Sequence, residues 1–303
     1  MWMPSNWKSG DVESGARPLY PMMLESPELR WAFIRKVYSI LSFQLLVTVA
    51  VAATVVSVRP IANFFVSSPE GLGLYILIIF LPFITLCPLY YYYQRHPINL
   101  ILLTVFTVSL GFAVGLTCAF TSGLPPSLKW EAFRSVIGWV KEGHIISLHS
   151  RKNLLIGEHL EYEIGIGDEL HVGSARAPKH TNGKVILESA ILTAAVVVSL
   201  TIYTFWAARR GYDFNFLGPF LFASTMVLML FVLIQLFFPM GRLSMMIYGA
   251  IAAIIFCGYI IYDTDNLIKR HSYDEYVWAA VALYLDIINL FLSLLTLFRA
   301  AES

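Results

Sequence analysis

Two aspartates in the C-terminal third of the chain are the residues best placed to do chemistry. Asp286 lies within residues 279–298, an apolar stretch that is long enough to cross a bilayer. A charge at that depth costs about 2.5 to 3.5 kcal/mol on insertion scales, so an acid there usually has a function or a partner. The expected partner is Asp263, near the end of the preceding apolar segment.

The two carboxyls are predicted to meet because consecutive spanning helices are antiparallel. Asp286 lies roughly 10 Å from the membrane face that Asp263 also approaches, at about 1.5 Å per residue. Two close carboxylates cannot both ionise cheaply, so the pair would share a proton and act as a pH-sensitive latch. Once deprotonated, its oxygens suit a hard cation such as Ca²⁺. Asp263 and Asp286 are therefore predicted to form a pH sensor on an ion pathway, without a firm metal site.

Other polar residues in the apolar segments allow two interpretations each. Glu188, early in the fourth segment, either lines a pore or reaches back to the lipid headgroups. Asn289 and Ser293 follow Asp286 by about one and two turns, and either extend a polar track or join helices by hydrogen bonds. Asp265, nearest the interface, is expected to flank a helix end in water, so Asp265→Asn should have little effect.

The composition indicates a polytopic membrane protein. Hydrophobic residues make up 57% of the 303 positions and charged residues 14%, against about 25% charged in an average soluble domain. A net charge of +1 gives no reason to expect nucleic-acid binding. Sequence motifs of zinc proteases, serine hydrolases and phosphate-binding loops are missing, so we predict neither enzymatic activity nor a cofactor.

Seven apolar segments position these residues and predict an all-α membrane protein. They span residues 37–58, 71–91, 98–120, 185–207, 215–238, 243–264 and 279–298. The predicted organisation is a cytosolic tail (1–36), helices one to three (37–123), an atypical polar insert (124–183) and helices four to seven (184–303). Gly111 and Gly115 form a GxxxG motif, which is typical of close helix packing.

The distribution of Lys and Arg predicts a cytosolic N-terminus. Leaving aside the insert, ten basic residues lie on the N-terminal side and three on the other. The ten are Lys8, Arg17, Arg30, Arg35, Lys36, Arg95, Arg209, Arg210, Lys269 and Arg270; the three are Arg59, Arg242 and Arg299. Seven crossings would leave the C-terminus on the far side, whereas a re-entrant last segment would return it to the cytosol.

The insert is predicted to be poorly ordered, because a polar, Gly-rich segment buries too little apolar surface to offset its ordering entropy. Its histidines lack the tight ligand spacing of known zinc sites. They are His144, His149, His159, His171 and His180.

The C-terminal motifs closely resemble the signature of the Bax-inhibitor/lifeguard family of membrane proteins. They read YDTDN at residues 262–266, DEY at 274–276 and LYLDIINLF at 283–291. Residues 19–38 look like the plant lifeguard branch, and GLTCAFTSG at 115–123 fits as well. The likeness covers about 1–123 and 184–303. The insert departs from the pattern and resembles translated intron or an alternative exon.

The resemblance implies a fold in which the last of seven helices is enclosed by the other six. It also implies a pH-sensitive Ca²⁺ leak from internal stores and suppression of programmed cell death, with Asp263 and Asp286 as the paired aspartates. Glu188 matches a glutamate of the family. The family also carries a basic cluster before the third helix, and Arg95 is its approximate equivalent here. The expected membrane is the endoplasmic reticulum or another endomembrane, with the plasma membrane left open.

Two functions of different classes remain open at this point. The first is a channel through which Ca²⁺ and H⁺ pass or act. The second is a membrane adaptor that suppresses cell death through protein partners without conducting ions. A G-protein-coupled receptor is disfavoured, because the third segment lacks a following Asp/Glu-Arg-Tyr and the seventh lacks Asn-Pro-x-x-Tyr.

Overall fold

The computed structural model describes residues 18–20, 23, 26–58, 60–61, 64–65, 69–92, 94–123, 181–238 and 241–302. In these residues all regular secondary structure is helical. The α-helices are α1 (Pro27–Ser57), α2 (Pro69–Tyr92), α3 (Ile98–Gly123), α4 (Thr181–Arg209), α5 (Leu217–Phe237), α6 (Arg242–Lys269) and α7 (Tyr276–Glu302). A short 3₁₀ helix, Tyr273–Glu275, precedes α7. The predicted all-α class is confirmed.

Six of these helices, α1 and α3 to α7, are long and apolar enough to cross a membrane. In α2 the search of the described residues finds a shorter apolar stretch, Phe80–Tyr92. Pro82 and Pro88 lie inside α2, where each removes a backbone donor and frees a carbonyl. Thr85 Oγ1 donates to the carbonyl oxygen of Pro82 at 2.8 Å within the same helix.

The predicted insert lies outside the described residues except at its C-terminal edge. Residues 181–183 belong to α4, which begins at Thr181. Helix four therefore starts three residues before the predicted boundary at Lys184.

Helix α7 is the centre of the bundle. It packs most extensively on α6, then on α4 and α1, and also against α3. Helix α2 reaches it where the Tyr90 ring meets Trp278 at 5.8 Å between centroids. In the most apolar 18-residue stretch of each helix, 56% of the residues are buried in α7 but only 11% in α5. Helix α5 packs on α6 at the edge of the bundle. The last helix therefore supplies the core that the others surround.

Glycines allow the closest helix contacts. A Cβ added to Gly115 of α3 would lie 2.9 Å from the Cα of Ala52 in α1. A Cβ on Gly249 of α6 would lie 2.8 Å from the backbone nitrogen of Leu297 and 2.9 Å from the carbonyl oxygen of Ser293, both in α7. Distances below 3.0 Å leave no room for a side chain, so glycine permits this approach of the backbones. The packing role predicted for GxxxG in α3 is confirmed.

Candidate functional site

Asp263 and Asp286 come together where α6 and α7 pack. Their side chains face each other and interact directly. Asp286 is only 6% exposed, and within the described part of the chain no other donor reaches its buried Oδ2 atom. A buried acid whose neighbour is another acid is satisfied only when one of the two carries a proton. The geometry therefore suits a proton-sharing pair, about 15 Å into α7 at 1.5 Å per residue.

Local structure at the start of α7 fixes this arrangement. Ser272 and Glu275 form a capping box, in which the backbone N–H of Ser272 donates to Glu275 Oε2 at 2.9 Å. The box begins the 3₁₀ turn that leads into α7, because it satisfies backbone donors at the start of the helix. The link from Arg270 to Glu275 is therefore short and ordered, and it brings the end of α6 beside the start of α7.

Asp265 does not lie in water, contrary to the expectation from the sequence. It is 0% exposed. Lys269 Nζ lies 2.5 Å from its Oδ1 atom and Arg270 Nη1 lies 3.3 Å from Oδ2. The backbone N–H of Phe214 also donates to Oδ2, at 3.3 Å. Helix α6 continues to Lys269, and the α4–α5 link covers this turn, so the residue is enclosed although it is near the end of the helix.

Asp213, Asp265, Lys269 and Arg270 form what we call the ion-pair cluster. Arg270 bridges both acids, pairing with Asp213 as well as with Asp265. Lys269 Nζ donates to the carbonyl oxygen of Tyr212 at 2.5 Å. Two cations and two carboxylates balance, so the cluster joins the α4–α5 link to the end of α6 without a net buried charge.

The Asp213 carboxyl lies in the link, outside the spanning helices. Partial burial alone would raise its pKa. Hydrogen bonds from Arg270 and from the backbone N–H of Asn215, with the positive charges of Arg270 and Lys269, outweigh burial and lower the pKa below its ordinary value. Asp213 is therefore ionised throughout the neutral range.

Arg30 is a site residue that the sequence analysis missed. It is 2% exposed, and its Nη1 donates to the carbonyl oxygen of His271 at 2.6 Å. Its guanidinium lies 5.6 Å from the Phe33 ring centre and 5.0 Å from that of Tyr273. Arg30 thus ties the start of α1 to the α6–α7 link. A cation at the start of an apolar helix gives no sequence signal for this contact, because such residues ordinarily extend into the headgroups.

Tyr276 forms a second junction at the same end of the bundle. Its hydroxyl accepts from Asn99 Nδ2 at 2.9 Å and lies 2.5 Å from His96 Nε2. Lys36 Nζ lies 3.3 Å above the ring. Helix α1, the α2–α3 link and α3 therefore all meet the first residue of α7, and these contacts hold that helix in place.

The other predicted site residues make their bonds away from the aspartate pair. Glu188 forms an ion pair with Lys184 at 3.4 Å, near the opposite end of the bundle. Asn289 Nδ2 donates to the carbonyl oxygen of Leu285 in its own helix at 2.9 Å. Arg95 is exposed, with its guanidinium 6.0 Å from the Tyr92 ring centre. Their functional roles stay predictions.

Comparison with known proteins explains why these helices and motifs occur together. The family described as "Inhibitor of apoptosis-promoting Bax1" matches residues 30–156 and 171–303. The chain belongs to this family. The predicted resemblance is confirmed. The match is wider than expected, because it includes residues 124–156 and 171–183 of the predicted insert and leaves 157–170 as the internal residues without a match.

Named relatives extend from plants to animals and viruses. The chain is 59% identical over 300 residues to "Protein LIFEGUARD 4" of Arabidopsis thaliana, covering 98% of this chain and 97% of that protein. It is 31% identical to "Protein lifeguard 4" of Mus musculus, covering 91% of this chain and 88% of that protein. It is 29% identical to "Golgi anti-apoptotic protein" of Vaccinia virus (strain Lister), covering 100% and 99%.

In this Bax-inhibitor family member, the two paired carboxyls offer fewer oxygen ligands than a stable Ca²⁺ site needs. Stable Ca²⁺ sites take six to eight oxygen ligands. Among the described residues, no group of three or more His, Cys, Asp or Glu side chains could hold a metal ion. The insert histidines lie outside those residues. The pair can hold a proton, and without the proton it offers a concentrated negative charge.

A second set of polar side chains lies on the opposite side of α7. Tyr284 is two residues before Asp286, and its hydroxyl lies 2.6 Å from that of Thr48 in α1. Gln44 Nε2 donates to Thr107 Oγ1 of α3 at 3.2 Å, while Gln44 Oε1 is buried without a partner. The core of the bundle is therefore polar on two sides of α7 at about the same depth.

Proposed function

We propose that this protein is a non-enzymatic, multi-pass regulator of programmed cell death in an endomembrane, acting as a pH-sensitive Ca²⁺ leak with Asp263 and Asp286 as its latch. One observation carries the proposal: two acids from α6 and α7 face each other inside the bundle. Family membership supports the role in cell death. The name of the viral relative, a Golgi anti-apoptotic protein, supports an endomembrane location.

The latch depends on one proton. While the proton is shared, the pair holds α6 against α7. Loss of the proton leaves two adjacent carboxylates, and two like charges about 4 Å apart repel by about 4 kcal/mol at an effective dielectric constant of 20. Inverting a two-state equilibrium from 1:99 to 99:1 takes about 5.5 kcal/mol. Deprotonation would therefore bias an equilibrium between closed and open states by an amount close to that which inverts it, and the same charge would attract Ca²⁺.

The orientation follows from the positive-inside rule. The N-terminus and the α6–α7 link would face the cytosol, so the latch would respond to cytosolic pH. Protease protection of a tagged chain in sealed microsomes tests this placement. A cleavable N-terminal tag is expected, whereas a protected tag would reverse the orientation.

A flux assay tests the channel itself. The full chain is reconstituted in liposomes that contain a Ca²⁺ indicator, and the outside pH is stepped in both directions. We expect a leak that increases as the pH rises through the titration of the pair, with none in protein-free liposomes. Absence of a leak at every pH, from protein that is folded and inserted, would contradict conduction. The alternative, an adaptor that acts through protein partners, would then take its place.

A further inference from the structure

An apolar groove separates α1 from α4 in the half of the bundle that is remote from the ion-pair cluster. Its volume is about 520 Å³. Leu45 to Val56 of α1 and Ile186 to Val198 of α4 contribute its walls. Its floor comprises Val114 and Cys118 of α3 and Ile287, Ile288 and Phe291 of α7.

The pairing of the helices explains why this groove exists. Helix α1 is held to α3 by the close approach at Gly111 and Gly115, while α4 packs on α6 and α7. Four of the wall positions are alanines, two on each helix: Ala52, Ala53, Ala190 and Ala194. The two helix groups therefore diverge around α7, and small residues keep the gap open.

The lining excludes water as a stable occupant. Thr48 and Thr193 provide the hydroxyl groups of the lining. Thr193 donates to the carbonyl oxygen of Ser189 at 2.7 Å, while Thr48 donates to that of Gln44 and meets Tyr284. A buried water needs two to four polar partners. The hydroxyls of Thr48 and Thr193 already form hydrogen bonds within the protein. The occupant must therefore be apolar.

The shape of the groove suits an extended hydrocarbon chain. At 1.5 Å per residue, the groove follows α1 for about 16 Å and α4 for about 18 Å. Both helices are long and apolar enough to cross a membrane, so the groove between them opens to the hydrocarbon of the bilayer, which consists of acyl chains.

We propose that the groove is a binding site for one acyl chain of a phospholipid from the leaflet remote from the ion-pair cluster. The hydrocarbon core of a bilayer is about 30 Å thick, so one leaflet is about 15 Å deep, which matches the length of the groove. The lining helices α1 and α4 are long and apolar enough to cross a membrane, and the groove is open between them. Its volume lies within the range of about 300 to 1,000 Å³ that is typical of ligand sites. Occupancy would stabilise α7 beside Asp286, whether or not the protein conducts ions.

Photo-crosslinking tests the site directly. The full chain is reconstituted with a phosphatidylcholine that carries a diazirine in its acyl chain, and crosslinked residues are mapped by mass spectrometry. We expect labels on the groove floor at Ile287, Ile288 and Phe291. Labelling spread evenly over the outward faces of all the helices, with none on the floor, would mean ordinary annular lipid and would overturn the proposal.

Filling the groove provides the matched comparison. Ala194→Phe puts a ring into the gap from α4, and Ala53→Phe does so from α1 if the first variant folds poorly. Floor labelling should fall by about tenfold, the loss in affinity expected when an occupied site is overpacked. Ala223→Phe, on the exposed face of α5, is the control and should leave it unchanged.

Two other outcomes contradict the inference. One is floor labelling that is unchanged in both filled variants. The other is displacement of the phospholipid label by a sterol but not by unlabelled phosphatidylcholine, which would identify a sterol site instead. Retention of one phospholipid by the purified wild-type protein, but not by Ala194→Phe, in native mass spectrometry would support it independently.

Discussion

Asp263 and Asp265 of α6 have neighbours of opposite charge, although only one residue separates them. Asp263 faces another acid, Asp286, whereas Asp265 faces the cations of Lys269 and Arg270. Two positions along a helix turn the side chain by about 200°, so the first residue points to α7 and the second to the α4–α5 link. Burial therefore does not by itself indicate a role for an acid, because an acid beside another acid and an acid beside two cations are in opposite electrostatic environments.

The difference assigns separate tasks to the two regions. The ion-pair cluster is neutral overall and holds the end of α6 against the α4–α5 link. In the proposed latch, the aspartate pair is stable only while it holds a proton, so its energy would change with pH. A fixed anchor beside such a contact would let α6 pivot rather than detach, and this comparison can be tested one residue at a time.

The largest effect is expected from Asp265→Asn. The substitution removes a fully buried carboxylate and leaves Lys269, whose side chain is 12% exposed, without its ion-pair partner. Breaking a buried ion pair from one side costs about 3 to 5 kcal/mol. Thermal unfolding of the purified protein in detergent should show a markedly lower transition, and the aspartate pair should be affected only through loss of the fold. An unfolding temperature equal to that of the wild type would contradict this prediction and would support the exposed position expected from the sequence.

Asp286→Asn should change the response to pH and spare the fold. It keeps the size and polarity of the side chain but removes its titration. Coupling between sites typically amounts to about 1–3 kcal/mol, so the pH dependence of the Ca²⁺ leak should be lost while protein abundance is nearly unchanged. The control is Glu28→Gln, an exposed acid at the start of α1. An unaltered flux and pH profile in Asp286→Asn would remove the latch from the mechanism.

Gly249→Ala should loosen the contact between α6 and α7 that brings the two acids together. The added methyl would lie 2.8 Å from the Leu297 backbone nitrogen. Overpacking costs about 1 to 3 kcal/mol, and the clash here is with backbone atoms, which cannot move aside as a flexible side chain can. We expect a fall in thermal stability together with a shifted pH response of the leak. Gly73→Ala, where a Cβ meets nothing within 4 Å, is the matched control and should show neither change.

The smallest effect belongs to Asp213→Asn, at the exposed edge of the cluster. The pKa of Asp213 is lowered in the folded protein, so its contribution is present above the ordinary aspartate pKa and is lost as pH falls through the folded value. Exposed ion pairs contribute about 1 kcal/mol or less. The stability difference between wild type and variant should be small at pH 7 and should vanish under strong acid. A difference that grows on acidification would contradict this assignment.

The sequence predicted the elements of this fold well, because spanning helices are long and apolar. The aspartate pair was also predictable, since a buried acid at the position of Asp286 needs a nearby partner. Asp265 and Arg30 were not, because their burial depends on links that fold over them. Nothing in the composition of the α4–α5 link indicates that it covers Asp265, and no periodicity relates Arg30 to His271, 241 positions away.

The position of α7 has a consequence for how the protein is made. Helices α1 to α6 leave the ribosome before α7, so six inserted helices wait in the bilayer without the element that most of them pack against. Until α7 enters, Gly249 has no helix to pack against, and Asp263 has no partner in Asp286. A nascent chain at that stage exposes unfinished helix faces to the quality-control machinery of the membrane. Truncation before α7 should therefore yield a protein that is inserted but rapidly degraded.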